Sequence, residues 1–457
     1  MRARIVVAYV AAALAGMPAV AESQETEVLR RDLEQMRQRL ETITREYQEA
    51  IKTLSERLQQ LEAAPPQPAA PPPVVQRSPG AAPAPPSAMD LVRPREPFSL
   101  YERRGGGQFL FDLGVVGDFV GNITQRSVER ADAGTFAGRE NRFFPREVEL
   151  VVFGQIDPYA RGEVRIEAAE EFEDGERDLH VGLAEAHLTL LTLPWGTQAK
   201  LGLMRNRFGL LNERHREALP QIDQPAVLTR FLGEEGLRES GLEATWLPPL
   251  PFYLEVLGGI FNGDNEESFG RGSLREPLLT GRVRTFWELG VTSAVQLGAS
   301  VASGENEDGR RTTLVGADVK YKLTPDGWQH SLLTLAGEAL YSGRKSQIED
   351  EATGTSSTVH RDRYGWYAYA ELQPWRRWLF GARYDWTEFP VEAGREWAVE
   401  PYIAFMPSEF LRFRLAYKHT ERSHRIGGGE ETDSGRIVDE LLLQATFFLG
   451  AHPAHPF

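Results

Sequence analysis

Near the C-terminus the stretch WLFGARYDW places Trp378, Phe380, Tyr384 and Trp386 at even spacing, with Arg383 and Asp385 in between. Successive side chains of a strand point to opposite faces, so the aromatic set shares one face and the charged pair the other. The same division recurs in FLRFRLAYKH, where Leu411, Phe413, Leu415 and Tyr417 alternate with Arg412, Arg414 and Lys418. Glu163, Arg165 and Glu167 are likewise offset from Val164 and Ile166, and Tyr367, Tyr369 and Glu371 from Trp366 and Ala368. From about Ser99 to the end, about sixteen stretches of strand length carry this texture, an even number that returns both ends to one side. Short turns such as DPYA, TLPWG and LPPLP alternate with long polar connections such as NGDNEESFGRGSLRE and SGRKSQIEDEATGTSSTVH. A soluble sandwich has no reason to sort its loops by parity, whereas a transmembrane barrel does. An arginine facing lipid at the midplane would cost ~2 to 4 kcal/mol, so the charged face belongs to a water-filled lumen. Trp287, Trp375, Trp378, Trp397 and Tyr402 are expected near strand ends, where interfacial aromatics gather.

The N-terminal part reads differently. Arg2 and Arg4 precede an apolar run from Ile5 to Val20, and Ala19-Val20-Ala21 supplies a small-x-small cleavage pattern, so residues 1–21 are expected to be a cleaved secretory signal. Over residues 22–62, Leu29, Leu33, Met36, Leu40, Ile43, Tyr47, Ala50, Leu54 and Leu61 alternate three- and four-residue steps, the seam of a periplasmic coiled coil. Residues 63–98 are a Pro/Ala-rich linker, semi-rigid because proline fixes its backbone, and residues 99–457 the barrel. The expected fold is an all-β transmembrane barrel of about 16 antiparallel strands preceded by an N-terminal α-helical coiled coil.

The formal net charge of -15 argues against a nucleic-acid partner, and the absence of cysteine excludes disulfides and thiolate metal sites. His187, His215 and His360 are candidate bases, but no motif pairs them with a serine, so no catalytic activity and no cofactor is expected.

The longest connection, LLNERHREALPQIDQPAVLTRFLGEEGLRES, is the informative one. Leu219, Ile222, Val227, Leu228, Phe231 and Leu232 make it too apolar for a loop in water, and Pro225 and Gly233 bracket a short helix. Residues 210–238 are therefore expected to fold inward and narrow the lumen, with packing on a neighbouring subunit as the alternative. Arg205, Arg207, Arg214, His215, Arg216, Arg230 and Arg238 stand in or beside this segment. Arg282, Arg284, Lys320, Arg377, Arg383, Arg412 and Arg414 extend a basic ladder along the wall, a pattern that favours anions. Glu147, Glu149, Glu185, Glu255, Asp318, Glu338 and Asp385 face the same water, so a general diffusion pore with a transverse field of paired charges stays open.

The segments KLGLMRNRFGLLNERHREALPQIDQP and FLGEEGLRESGLEATW, with the closing QATFFLGAHPAHPF, resemble the Gram-negative outer-membrane porins of the phosphate-selective O and P type. That resemblance implies a sixteen-stranded, trimeric barrel in outer-membrane lipid whose inward loop carries basic residues. Relatives linked to dicarboxylate uptake carry an N-terminal coiled coil similar to Thr26–Glu62. The lysine run of the phosphate-specific members has no counterpart here, so small carboxylate-like or phosphate-like anions are the implied solutes. Phe457 resembles the terminal aromatic that barrel-assembly machinery reads. The coiled coil adds a possible cell-wall contact, which makes tethering a companion role.

Overall fold

A computed structural model describes residues 110–173, 176–265, 267–270, 272–325, 332–350, 355–424 and 436–450. The signal, coiled coil and linker expected at residues 1–98, and Phe457, lie outside the described residues. Sixteen strands follow in order. They are β1 (Leu110–Thr124), β2 (Phe143–Asp157), β3 (Ala160–Glu173), β4 (Glu176–Leu193), β5 (Thr197–Arg205), β6 (Arg238–Trp246), β7 (Tyr253–Phe261) and β8 (Leu278–Glu288). Then come β9 (Ser293–Glu305), β10 (Arg311–Leu323), β11 (Leu332–Asp350), β12 (Thr355–Trp375), β13 (Trp378–Glu388), β14 (Gly394–Ser408), β15 (Leu411–His424) and β16 (Ile437–Gly450). Each pairs antiparallel with its neighbours in sequence, and β1 pairs with β16, so the sheet closes on itself and leaves no edge. Two short helices sit in connections, α1 (Arg126–Arg130) and α2 (Ala226–Leu232).

Alternation decides which face each side chain takes. Val315 and Val319 on β10, Phe380 and Tyr384 on β13, and Phe413, Leu415 and Tyr417 on β15 are exposed on the outside. Asp318 and Lys320, Arg383 and Asp385, and Arg414 and Lys418 on those same strands are buried inside. The outer surface is thus apolar and the inner one charged, the reverse of a soluble protein. Aromatic rings cluster at strand ends: Trp375 lies opposite Trp378, and Phe252 stacks on Trp287 at 5.2 Å.

Two expectations about side-chain placement need correcting. Tyr402 is not part of an aromatic girdle. Strand parity turns it inward with Glu400 and Ala404, and its hydroxyl donates to Glu371 at 3.0 Å and accepts from Gln221 at 2.9 Å. Arg377 is not on the lumen wall; it lies exposed in the turn between β12 and β13. The stretch 342–360, which reads as a long loop, is mostly strand, since β11 and β12 stay paired up to Asp350 opposite Thr355. Likewise β3 and β4 stay paired up to Glu173 opposite Glu176. A strand extension with water on both faces has no need to alternate, so its sequence looks like loop.

Candidate functional site in the barrel interior

The connection between β5 and β6, residues 206–237, lies inside the barrel. Leu219, Ile222, Val227, Leu228, Phe231 and Leu232 are at most 1% exposed. They pack against inward side chains, among them Phe261, Leu314, Leu340 and Tyr367 in one cluster and Val120, Tyr402 and Leu442 in another. Fully burying each such side chain is worth ~1.5 to 3 kcal/mol, which offsets part of the conformational entropy lost in ordering the segment. Pro225 stands at the N-cap of α2, and Gly233, at φ 79, ends it in a conformation that other residues adopt with strain. The helix packs on β12, β13 and β14. Gly365 on β12 makes room for it, because a Cβ there would come within 2.4 Å of Val227.

Charged contacts hold the segment from two sides. Toward β2–β7 its own cations reach wall carboxylates: Arg207 pairs with Glu243 at 2.7 Å and with Glu255 at 3.3 Å, and Arg216 reaches Glu147 at 3.6 Å and Glu167 at 3.7 Å. Arg205, which ends β5, donates to the carbonyl of Glu235 at 2.5 Å, and Glu235 also pairs with Arg216 and with Arg238. His215 Nδ1 is 3.2 Å from Glu149 and Nε2 is 3.6 Å from Glu185. Burial opposes charge on this imidazole, but the two carboxylates facing its ring nitrogens, Glu149 and Glu185, outweigh it and push the pKa up to about 10.

Toward β8 and β13–β15 the direction reverses, and wall cations grip the segment's backbone and one carboxylate. Arg383 donates to the Asp223 carbonyl at 2.8 Å and to its carboxylate at 2.7 Å, and Lys418 reaches the same carboxylate. Burial alone would raise the Asp223 pKa, yet Arg383 and Lys418 hold it well below the usual carboxylate range. Arg282 donates to the carbonyl of Gly209, Arg412 to that of Glu217, and Arg414 to those of Leu219 and Gln221, the last at 3.1 Å. Arg146 on β2 does the same to Ile222.

Of the candidate residues, the wall set is mostly neutralised locally. Arg282 pairs with Asp318 at 3.1 Å, Arg284 with Glu255 and with Glu213 at 3.3 Å, and Arg383 with Asp385 at 3.0 Å and Glu400 at 2.8 Å. Arg230, on α2, pairs with Glu396 at 2.8 Å. Arg412 and Arg414 differ: among the described residues no carboxylate lies within ion-pair distance of either, and Arg414 adds only Gln444 at 2.8 Å. Arg214 shares its electrostatic surroundings with Lys320 and Lys322.

Asp223, Glu235 and Glu396 are contacts that the sequence does not single out, and Lys418, legible only as lumen-facing, joins them. Lys418 also donates to Thr135 at 3.1 Å, so one lysine ties the β1–β2 connection to the inserted segment. Between those two connections is a cavity of about 380 Å³, whose lining includes Thr135, Arg146, Asp223, Arg230, Lys418 and Arg422. Nothing in the spacing of these residues marks them, because the closed barrel alone brings β15 against residues some two hundred positions away.

No protein-family model matches the chain. An uncharacterized protein of Aquifex aeolicus (strain VF5) is 29% identical over 346 residues, which are 68% of this chain and 69% of that one. Among solved structures, the outer membrane channel DcaP of Acinetobacter baumannii aligns with a TM-score of 0.51 at 12% identity, covering 77% of this chain and all (100%) of its own. An anion-selective porin from Comamonas acidovorans aligns at 0.46 with 8% identity, covering 74% and 98%. What the alignment with the DcaP channel shares at such identity is the fold alone, a closed β-barrel.

Proposed function

We propose that the chain is an outer-membrane porin, a passive diffusion channel for small anionic solutes of carboxylate-like or phosphate-like chemistry, in which residues 206–237 form the constriction. The observation that carries this reading is the pair Arg412 and Arg414, whose guanidinium groups are bound to neutral carbonyl oxygens and Gln444 rather than to carboxylates. Their positive charge is therefore left to act on the lumen, while most other cations in it are matched. Within the same reading the chain is a homotrimer in outer-membrane lipid, and residues 22–62 are a periplasmic coiled coil that can reach the cell wall. The similarity to phosphate-selective O and P porins supports the trimer and the anionic solute class, and nothing more specific.

A second reading, a general pore without charge preference, is favoured by a different observation: Arg207, Arg216, Arg230, Arg282, Arg284 and Arg383 each have a carboxylate partner. A reversal potential in a planar bilayer under a potassium chloride gradient separates the two. The anion reading expects a chloride-directed potential, the neutral reading a value near zero, and a potassium-directed potential would overturn the first.

A further inference from the structure

The contacts of His215 have a feature that docking alone does not need. Its ring lies between two buried carboxylates with a different nitrogen aimed at each, Nδ1 at Glu149 Oε2 and Nε2 at Glu185 Oε2. Glu149 is 1% exposed; its Oε1 accepts from Arg165 at 2.6 Å, while its Oε2, facing the imidazole, has no hydrogen-bond partner. Two residues past His215, across the turn Arg216–Ala218, Glu217 returns its carboxylate to the same place. One ligand atom from each of Glu149, His215 and Glu217 falls within 4.8 Å of the others.

We propose that Glu149, His215 and Glu217 bind a divalent transition-metal cation such as zinc, which pins the inserted segment to β2. One imidazole nitrogen with two carboxylate oxygens is a set that borderline metals accept, leaving further positions for water. The separation of 3.2 Å between Nδ1 and Oε2 suits two ligands that each stand ~2 Å from one ion. The outer contacts are also of the required kind. Glu185 faces Nε2, the nitrogen that donates outward when the other is metal-bound, and is itself fixed by the backbone N–H of Arg205 at 2.6 Å. Arg165 holds the far oxygen of Glu149, so the near one is presented to the ion. Charge points the same way: Glu149, Glu163 and Glu217 surround the one guanidinium of Arg165, and Glu185 adds a fourth carboxylate beside His215. A protonated His215 offsets one of the remaining negative charges, and a divalent ion offsets two. The competing occupant of the site is that proton. The neighbouring group Glu163, Glu185 and His187 is the control, since it also places three ligand atoms close together but takes none from the inserted segment.

The test uses the full-length chain folded in detergent, stripped with chelator and titrated with cobalt(II). The expected result is about one equivalent retained after desalting, with visible absorption bands of a low-coordinate site. His215→Gln and Glu149→Gln each abolish both, while His187→Gln leaves them intact. X-ray absorption on the native chain then finds one imidazole and oxygen ligands, a reading that holds even where a variant fails to fold. Cobalt that washes out of the native chain, survives His215→Gln, depends on His187, or shows two imidazoles overturns the proposal. Because the readout is metal and not conductance, the outcome is independent of the channel reading.

Discussion

The two sides of the inner wall hold the same inserted segment in opposite ways. On β2–β7 the wall supplies carboxylates and the segment supplies side-chain cations, as in Arg207 with Glu243 and Glu255. On β13–β15 the wall supplies cations and the segment mostly supplies backbone carbonyls, as in Arg414 with Leu219 and Gln221. The first arrangement cancels charge on both partners. The second satisfies hydrogen bonds while leaving the arginine charge in place, so a lumen in which most other cations are ion-paired can still present one positive side.

The comparison breaks most severely at Arg383, which has 0% side-chain exposure and holds Asp223, Asp385 and Glu400 together. Arg383→Met strands Asp385 and Glu400, leaves Asp223 with Lys418 alone, and is expected to lower stability by ~3 to 5 kcal/mol, read as a fall in the urea midpoint of the folded, heat-modifiable band on a gel. Asp223→Asn keeps the shape and weakens charge-assisted bonds to Arg383 and Lys418, with an expected loss of ~1.5 to 3 kcal/mol in the same assay. The Asp223 pKa is depressed, so its contribution is present at every pH above the ordinary carboxylate range and is lost only as pH falls toward the folded value. Mild acid should therefore leave the native midpoint close to that at neutral pH with respect to this group, and the Asp223→Asn deficit should shrink only in strong acid.

Arg414→Gln sharpens the contrast between the walls. It costs ~1 to 3 kcal/mol through carbonyls left short of a donor, and moves the reversal potential toward potassium more than Arg207→Gln does. A larger shift from Arg207→Gln would reverse the roles assigned to the two sides. The smallest effect belongs to Arg230→Ala. That side chain is 38% exposed, and Glu396 keeps Arg422 at 3.0 Å, so the expected stability loss stays under ~1 kcal/mol.

Much of the barrel was legible because a sheet with lipid outside and water inside must alternate, as in Trp378–Trp386 and Leu411–Lys418. The boundaries of β10 and β16 read directly from sequence for that reason. The upper parts of β11 and β12 did not, since beyond the lipid that constraint ends. The site was half legible. Arginines in and beside the inserted segment stand out as a residue class, and Glu147, Glu149, Glu185 and Glu255 as carboxylates facing the same water, but which pairs with which is not legible. Glu235, Glu396 and Lys418 are ordinary charges in sequence, and barrel closure alone gives them their neighbours. Parity puts Arg282, Arg284 and Arg383 in one lumen with Glu255, Asp318 and Asp385, and the closed barrel shows these carboxylates beside the arginines they neutralise.

The central claim is that residues 206–237 occupy the lumen and narrow it. The direct measurement is single-channel conductance of the native chain beside a variant in which residues 211–234 are replaced by a short glycine-serine bridge between β5 and β6. A stable, severalfold larger conductance in the shortened barrel is the predicted result. A folded variant whose conductance equals or falls below the native value would contradict it.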